Sequence, residues 1–159
     1  MKESVMQLEQ EIKELYNDLR EAYRCEIELE SNNLWEKHLE TEDDLRELLF
    51  RISYDSKAHR LFLENMFLKL RGFSYQKIAG VPFEFVGDIP KKSKEDLIGE
   101  LRANEARVME IYLNVYHGPS RDTIQRFWMD DDPEEFFKRV DWLVKQERIH
   151  DELIKKMLD

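Results

Sequence analysis

Residues 140–157 read VDWLVKQERIHDELIKKM, and this stretch decides the fold. Val140, Leu143, Leu153 and Ile154 recur at helical spacing, so the segment is an amphipathic helix. Glu147 and His150 fall on the same stripe, where hydrophobes are expected. An ionised carboxylate inside a helical core costs several kcal/mol unless something pairs with it. Residues 49–63, LFRISYDSKAHRLFL, repeat the arrangement. Leu49, Ile52, His59, Phe62 and Leu63 match Val140, Leu143, His150, Leu153 and Ile154 place for place, with Ser56 where the later stretch has Glu147.

Working outward, the same periodicity predicts helices almost throughout. The first runs from about Glu3 to about Glu40 on Leu8, Ile12, Leu15, Leu19, Ala22 and Leu29, with Glu26 on that stripe. Thr41 caps the second, which Gly72 ends; the short break makes the two an antiparallel hairpin. Ser93 caps a third helix reaching about His117, with Glu105 on the stripe of Ile98, Leu101, Val108 and Tyr112. Gly118 and Pro119 end it, residues 120–129 form a short accessory helix, and Asp132 with Pro133 opens the last. Glu26 and Ser56 lie equally far from the first turn, and Glu105 and Glu147 flank the 118–132 connection in the same way. Each pair is therefore expected level across its hairpin.

Between the hairpins, residues 72–92 read GFSYQKIAGVPFEFVGDIPKK, with a strand-like FEFV. A helix of about 25 residues is roughly 37 Å long. Some twenty extended residues reach roughly 60 Å, so the segment can return along the whole bundle. The expected fold is all-α: a four-helix bundle of two antiparallel hairpins joined by a long crossover, with the accessory helix before the last helix. The chain reads as one domain over residues 1–159. An ordinary bundle with a long loop is the alternative.

Composition narrows the function. The 159 residues carry 35 acids against 25 bases, a net charge of -10, which repels phosphates and argues against nucleic acid or an anionic membrane as partner. Cys25 is the one cysteine, so there is no disulfide framework, redox cysteine pair or four-cysteine metal module within the sequence. No apolar run has the length of a membrane span, and the start MKESVMQLEQ does not read as a signal peptide. A cytoplasmic location is expected.

The stretches LREAYRCEIEL, ISYDSKAH, LRANEARVMEIY and LVKQERIHDELIKKM resemble the ligand-bearing helices of ferritin-like di-iron carboxylate proteins, in particular their rubrerythrin-like branch. The resemblance covers roughly residues 12–157 outside the middle and accessory segments. It implies a glutamate from each of two helices and a Glu-x-x-His pair from each of the others, holding two iron or manganese ions. Carried over, the metal ligands are Glu26, His59, Glu105, Glu147 and His150. The chain departs from the pattern at Ser56, where the family has glutamate. Asp55, sharing a face with His59 at i, i+4, is a candidate substitute beside Ser56 itself, and one metal position is expected to be weakened or lost. An exogenous anion such as hydroxide or phosphate is one way to supply what Ser56 lacks.

The resemblance implies iron-dependent peroxide reduction or ferroxidase-type chemistry, with no catalytic residue beyond the metal ligands. Manganese or zinc would suit the same donors. Electrons would come from a separate donor protein, and a homodimer is expected. The alternative is a bundle that has lost the di-iron activity, metal-free or holding one zinc; raised carboxylate pKa values would mark a metal-free form. His38 and His117 read as surface or capping residues. Tyr112 can hydrogen-bond a ligand carboxylate, although core packing also explains it. Asn33 offers no radical-stabilising aromatic, Cys25 reads as packing, and Trp35, Trp128 and Trp142 read as packing or interface residues.

Overall fold

The computed structural model describes residues 2–30, 43–74, 94–130 and 132–158. Five helices form there: α1 (Lys2–Glu30), α2 (Asp43–Phe67), α3 (Lys94–His117), α4 (Arg121–Phe127) and α5 (Glu134–Leu158). No described segment forms a strand, and no described helix is long and apolar enough to cross a membrane. The expected extension of the first helix to Glu40, the Thr41 and Ser93 caps, His38, Asn33, Trp35 and nearly all of the 72–92 connection lie outside the described residues.

The apolar stripes meet in one core. Leu19 and Ala22 of α1, Ile52 and Leu63 of α2, Leu101 and Val108 of α3, and Val140, Leu143 and Ile154 of α5 are buried. Burying such side chains contributes about 1.5–3 kcal/mol each, and this burial holds the described helices together. α1 packs on α2 and α3, and α5 packs on α3 and α2.

Cross-helix pairs give the directions. Tyr23 donates to Glu64, and Ser53 to the carbonyl of Glu30, so α1 and α2 run antiparallel. Glu11 accepts from Ser120 at the end of α3, and Tyr112 donates to Glu26, so α1 and α3 are antiparallel as well. Arg139 donates to Asn65 while His150 meets Asp55, which makes α2 and α5 antiparallel.

The helix ends follow local chemistry. Ser120 caps α4 by accepting from the Thr123 N–H at 3.2 Å, and Glu11 of α1 ties down both hydroxyls there. Gly118 sits where a Cβ would lie 2.7 Å from the Asn114 carbonyl oxygen, so any larger residue would disturb the end of α3. Asp132 accepts from the Glu134 N–H at 3.0 Å and opens α5.

The end of α2 differs from expectation. The helix stops at Phe67, short of Gly72, and tight turns follow, with Gly72 at φ 73°. Leu70 leaves the helix because it pairs instead with Trp128. Arg71 N–H donates to Phe127 O at 2.9 Å, and Met129 N–H to Lys69 O at 2.8 Å, joining the end of α2 to the end of α4.

Candidate metal centre

Eight polar or charged residues are buried in the described chain, and five of them are Glu26, His59, Glu105, Glu147 and His150. Each sits on the apolar stripe of its helix, so the same periodicity that builds the core aims all five side chains inward. They form two triads that share one member: Glu26–His59–Glu147 and Glu105–Glu147–His150, each with its donor atoms within 4.8 Å of one another.

His59 Nδ1 lies 3.3 Å from Glu26 Oε1 and 3.3 Å from Glu147 Oε1. His150 Nδ1 lies 3.3 Å from Glu105 Oε2 and 3.5 Å from Glu147 Oε2. Glu147 thus presents one oxygen to each histidine. The two imidazoles stack with centroids 5.6 Å apart.

Charge is poorly satisfied by hydrogen bonds here. Both oxygens of Glu147, Glu26 Oε2, Glu105 Oε1 and Ser56 Oγ are buried with no hydrogen-bond partner. Leaving such atoms unpaired costs about 1–3 kcal/mol each, more for charged groups. Burial pushes the Glu26 carboxyl up to about 7, against the lowering influence of His59 and Tyr112. Burial, with Glu147 alongside, carries Glu105 well above the usual carboxylate range. Glu147 goes the other way: burial opposes its charge, but Glu105 and the two imidazoles outweigh burial and hold it low. Burial would depress both histidines, yet their carboxylates prevail and raise His59 to about 9 and His150 to about 11.

These residues fit a metal ion. Separations of 3.3–3.5 Å between donors match adjacent ligands bonded to one cation at about 2.0–2.2 Å. The donor set of carboxylate oxygens and imidazole nitrogens suits iron, manganese or zinc. The unpartnered oxygens are those that a cation would satisfy.

Two further groups steer the ligands. Tyr112, fully buried, donates its hydroxyl to Glu26 Oε1 at 2.7 Å, so it both packs and hydrogen-bonds. Asp55 stands outside both triads. Its Oδ2 lies 2.9 Å from His150 Nε2, the ring nitrogen turned away from the carboxylates, and Arg51 lies 3.7 Å behind it. It is placed to orient the histidine of the opposite hairpin. The i, i+4 spacing pairs Asp55 with His59 on its own helix, and no feature of the sequence pointed to His150. Trp142 meets the His59 ring edge-on at 5.7 Å. His117 is exposed at the end of α3, while burial, with the charge of Glu21 nearby, pushes the Cys25 thiol up to about 12.

Comparison of the chain with protein-family models, with curated proteins and with solved structures finds no match, so fold and site rest on the residues and distances above.

Proposed function

We propose that the chain is a ferritin-like, rubrerythrin-related bundle that binds iron and carries out ferroxidase-type or peroxide-reducing chemistry. In this reading Glu26 and His59 would hold one ion and Glu105 and His150 the other, with Glu147 available to both. The observation that carries it is Glu147: a fully buried carboxylate between two imidazoles, with neither oxygen hydrogen-bonded. The topology is supported by helix direction. α2 and α3 are both antiparallel to α1, hence parallel to one another, and a long crossover connects such a pair.

Bound iron would supply one-electron chemistry towards oxygen or peroxide. The chain's own residues supply the rest. Tyr112 fixes Glu26, Asp55 holds the His150 ring, and Trp142 covers His59 against water. A separate protein would deliver electrons.

The test is metal content by plasma mass spectrometry on protein purified without a metal-affinity tag, then repeated after anaerobic addition of ferrous iron. One to two ions per chain after reconstitution is the expected result. No metal before or after reconstitution would refute the reading.

That refutation would favour a second reading, a structural bundle with the metal lost. The raised carboxyls of Glu26 and Glu105 support it, because protons shared with His59 and His150 can balance the buried charge without a cation.

We also propose a second copy of the chain as partner. Phe50, Tyr54 and Leu61 are exposed on one face of α2 with Lys57 among them, Leu68 is exposed in the turn that follows, and Trp142 and Ile149 are exposed on α5. Large apolar side chains exposed near one another suit a contact with another protein surface. Two such faces packed antiparallel would set Tyr54 against Leu61 of the partner copy.

A further inference from the structure

α2 and α5 repeat one another around the buried cluster. Ile52, His59 and Leu63 stand in the places of Leu143, His150 and Ile154, and all but Phe62 and Leu153 of the matched positions are buried. The repeat breaks three residues before each histidine, where α5 has Glu147 and α2 has Ser56. Ser56 is fully buried and its Oγ has no hydrogen-bond partner. A serine inside a helix ordinarily bonds the carbonyl one turn back. Ser56 does not, so its one donor is free to meet something else. Glu26 Oε2 and Glu105 Oε1, within the two triads, are buried and unpartnered too.

Donor count shows what is missing. Each triad offers three protein donors, and the two share Glu147. A tetrahedral cation takes four ligands and an octahedral one six. Two divalent cations against Glu26, Glu105, Glu147 and two neutral imidazoles leave one positive charge over in a buried site. Asp55 does not supply the missing donor, since it faces the far nitrogen of His150 and shares its charge with Arg51. A carboxylate in the place related to Glu147 would supply one oxygen to each ion and neutralise the excess. On α2 the side chain ends at Oγ, where a glutamate would have its γ carbon. What the helix lacks beyond that point is one carboxylate.

We propose that Ser56 marks a binding site for a small carboxylate-type oxyanion, of the size of formate or bicarbonate, which enters with the metal and accepts a hydrogen bond from Ser56 Oγ. This rests on the metal-binding reading above. The anion replaces the side chain that the α2 half does not have, so full metal loading depends on a molecule from solution.

The test is calorimetric titration of the intact chain with manganese(II), in chloride buffer free of carbonate and carboxylates, and again with formate or bicarbonate added. In chloride alone one equivalent binds and the second binds weakly. Formate or bicarbonate raises the affinity of the second equivalent at least tenfold, and the stronger of the two identifies the anion. Ser56→Glu takes two equivalents in chloride with no response to either anion. Ser56→Ala keeps the first equivalent and loses the response, which covers the case in which the glutamate variant does not fold. Equal second-equivalent affinity with and without the anions, or an undiminished response in Ser56→Ala, overturns the proposal while leaving the metal centre intact. No binding of manganese or ferrous iron to the wild-type chain under any of these conditions overturns the metal centre and the anion site together.

Discussion

Glu147 belongs to both triads and Glu26 to one, so their removal has different consequences. Glu147→Gln keeps the shape of the side chain and removes the charge that both histidines face. Metal at about a hundredfold excess over its dissociation constant stabilises the fold by about 2.7 kcal/mol per site. For a domain of this size each kcal/mol moves Tm by about 2–4 °C. Two filled positions therefore raise the wild-type Tm by roughly 10–20 °C, measured by calorimetry with manganese(II) and formate present. Glu26→Gln should retain about half of that rise, from the Glu105–His150 position. Glu147→Gln should retain almost none and should bind less than one ion per chain. Before any metal is added, Glu147→Gln should also lose about 3–5 kcal/mol of stability, because two buried imidazolium groups lose a shared partner. A metal-induced rise in Glu147→Gln equal to that in Glu26→Gln would refute the shared-carboxylate geometry.

Other outcomes follow from the same contacts. Asp55→Asn should weaken metal at the His150 position about 10–100-fold and Tyr112→Phe should do the same at the Glu26 position, each read by titration; equal losses at both positions in either variant would contradict the pairing seen here. Chelator-treated protein should become less stable as pH rises: the contribution of His59 is complete below about 6.5 and is lost as pH rises through about 9, and that of Glu26 fades between about 4.5 and 7. Metal affinity should move oppositely, rising with pH as the two histidines give up their protons; urea midpoints and calorimetric titrations from pH 5.5 to 9 would expose parallel trends if this were wrong. Leu61→Glu should convert a dimer to a monomer in sedimentation without changing metal content, whereas Glu135→Ala should alter neither.

The helices were legible because each buries a stripe that the sequence spells out, and the cluster was legible because Glu26, His59, Glu105, Glu147 and His150 interrupt those stripes. A polar residue out of place on an apolar face is a stronger signal than any short motif. The accessory helix announced itself through Gly118, Pro119 and Ser120, whose preferences are local. The contact of Asp55 with His150 was not legible because the partner lies on another helix, and helical spacing says nothing about how two helices are rotated against each other. The early end of α2 was hidden for a related reason. Leu70 continues the apolar pattern of that helix, but a buried leucine satisfies the pattern equally well beside Trp128 in a turn.

That pairing of Leu70 with Trp128 also bears on how the protein would behave when stripped of metal. Two backbone hydrogen bonds there fasten the early half of the chain to the late half, about three helical turns beyond His59. With the halves fastened, the chain entropy of bringing Glu26 and His59 to Glu105 and His150 is lost on folding and not on metal capture. The ligands then act as a preassembled chelator inside a standing scaffold, unlike small zinc modules whose fold appears only with the ion. Removing the metal should accordingly leave the far-ultraviolet circular dichroism of a helical protein unchanged while the melting temperature falls.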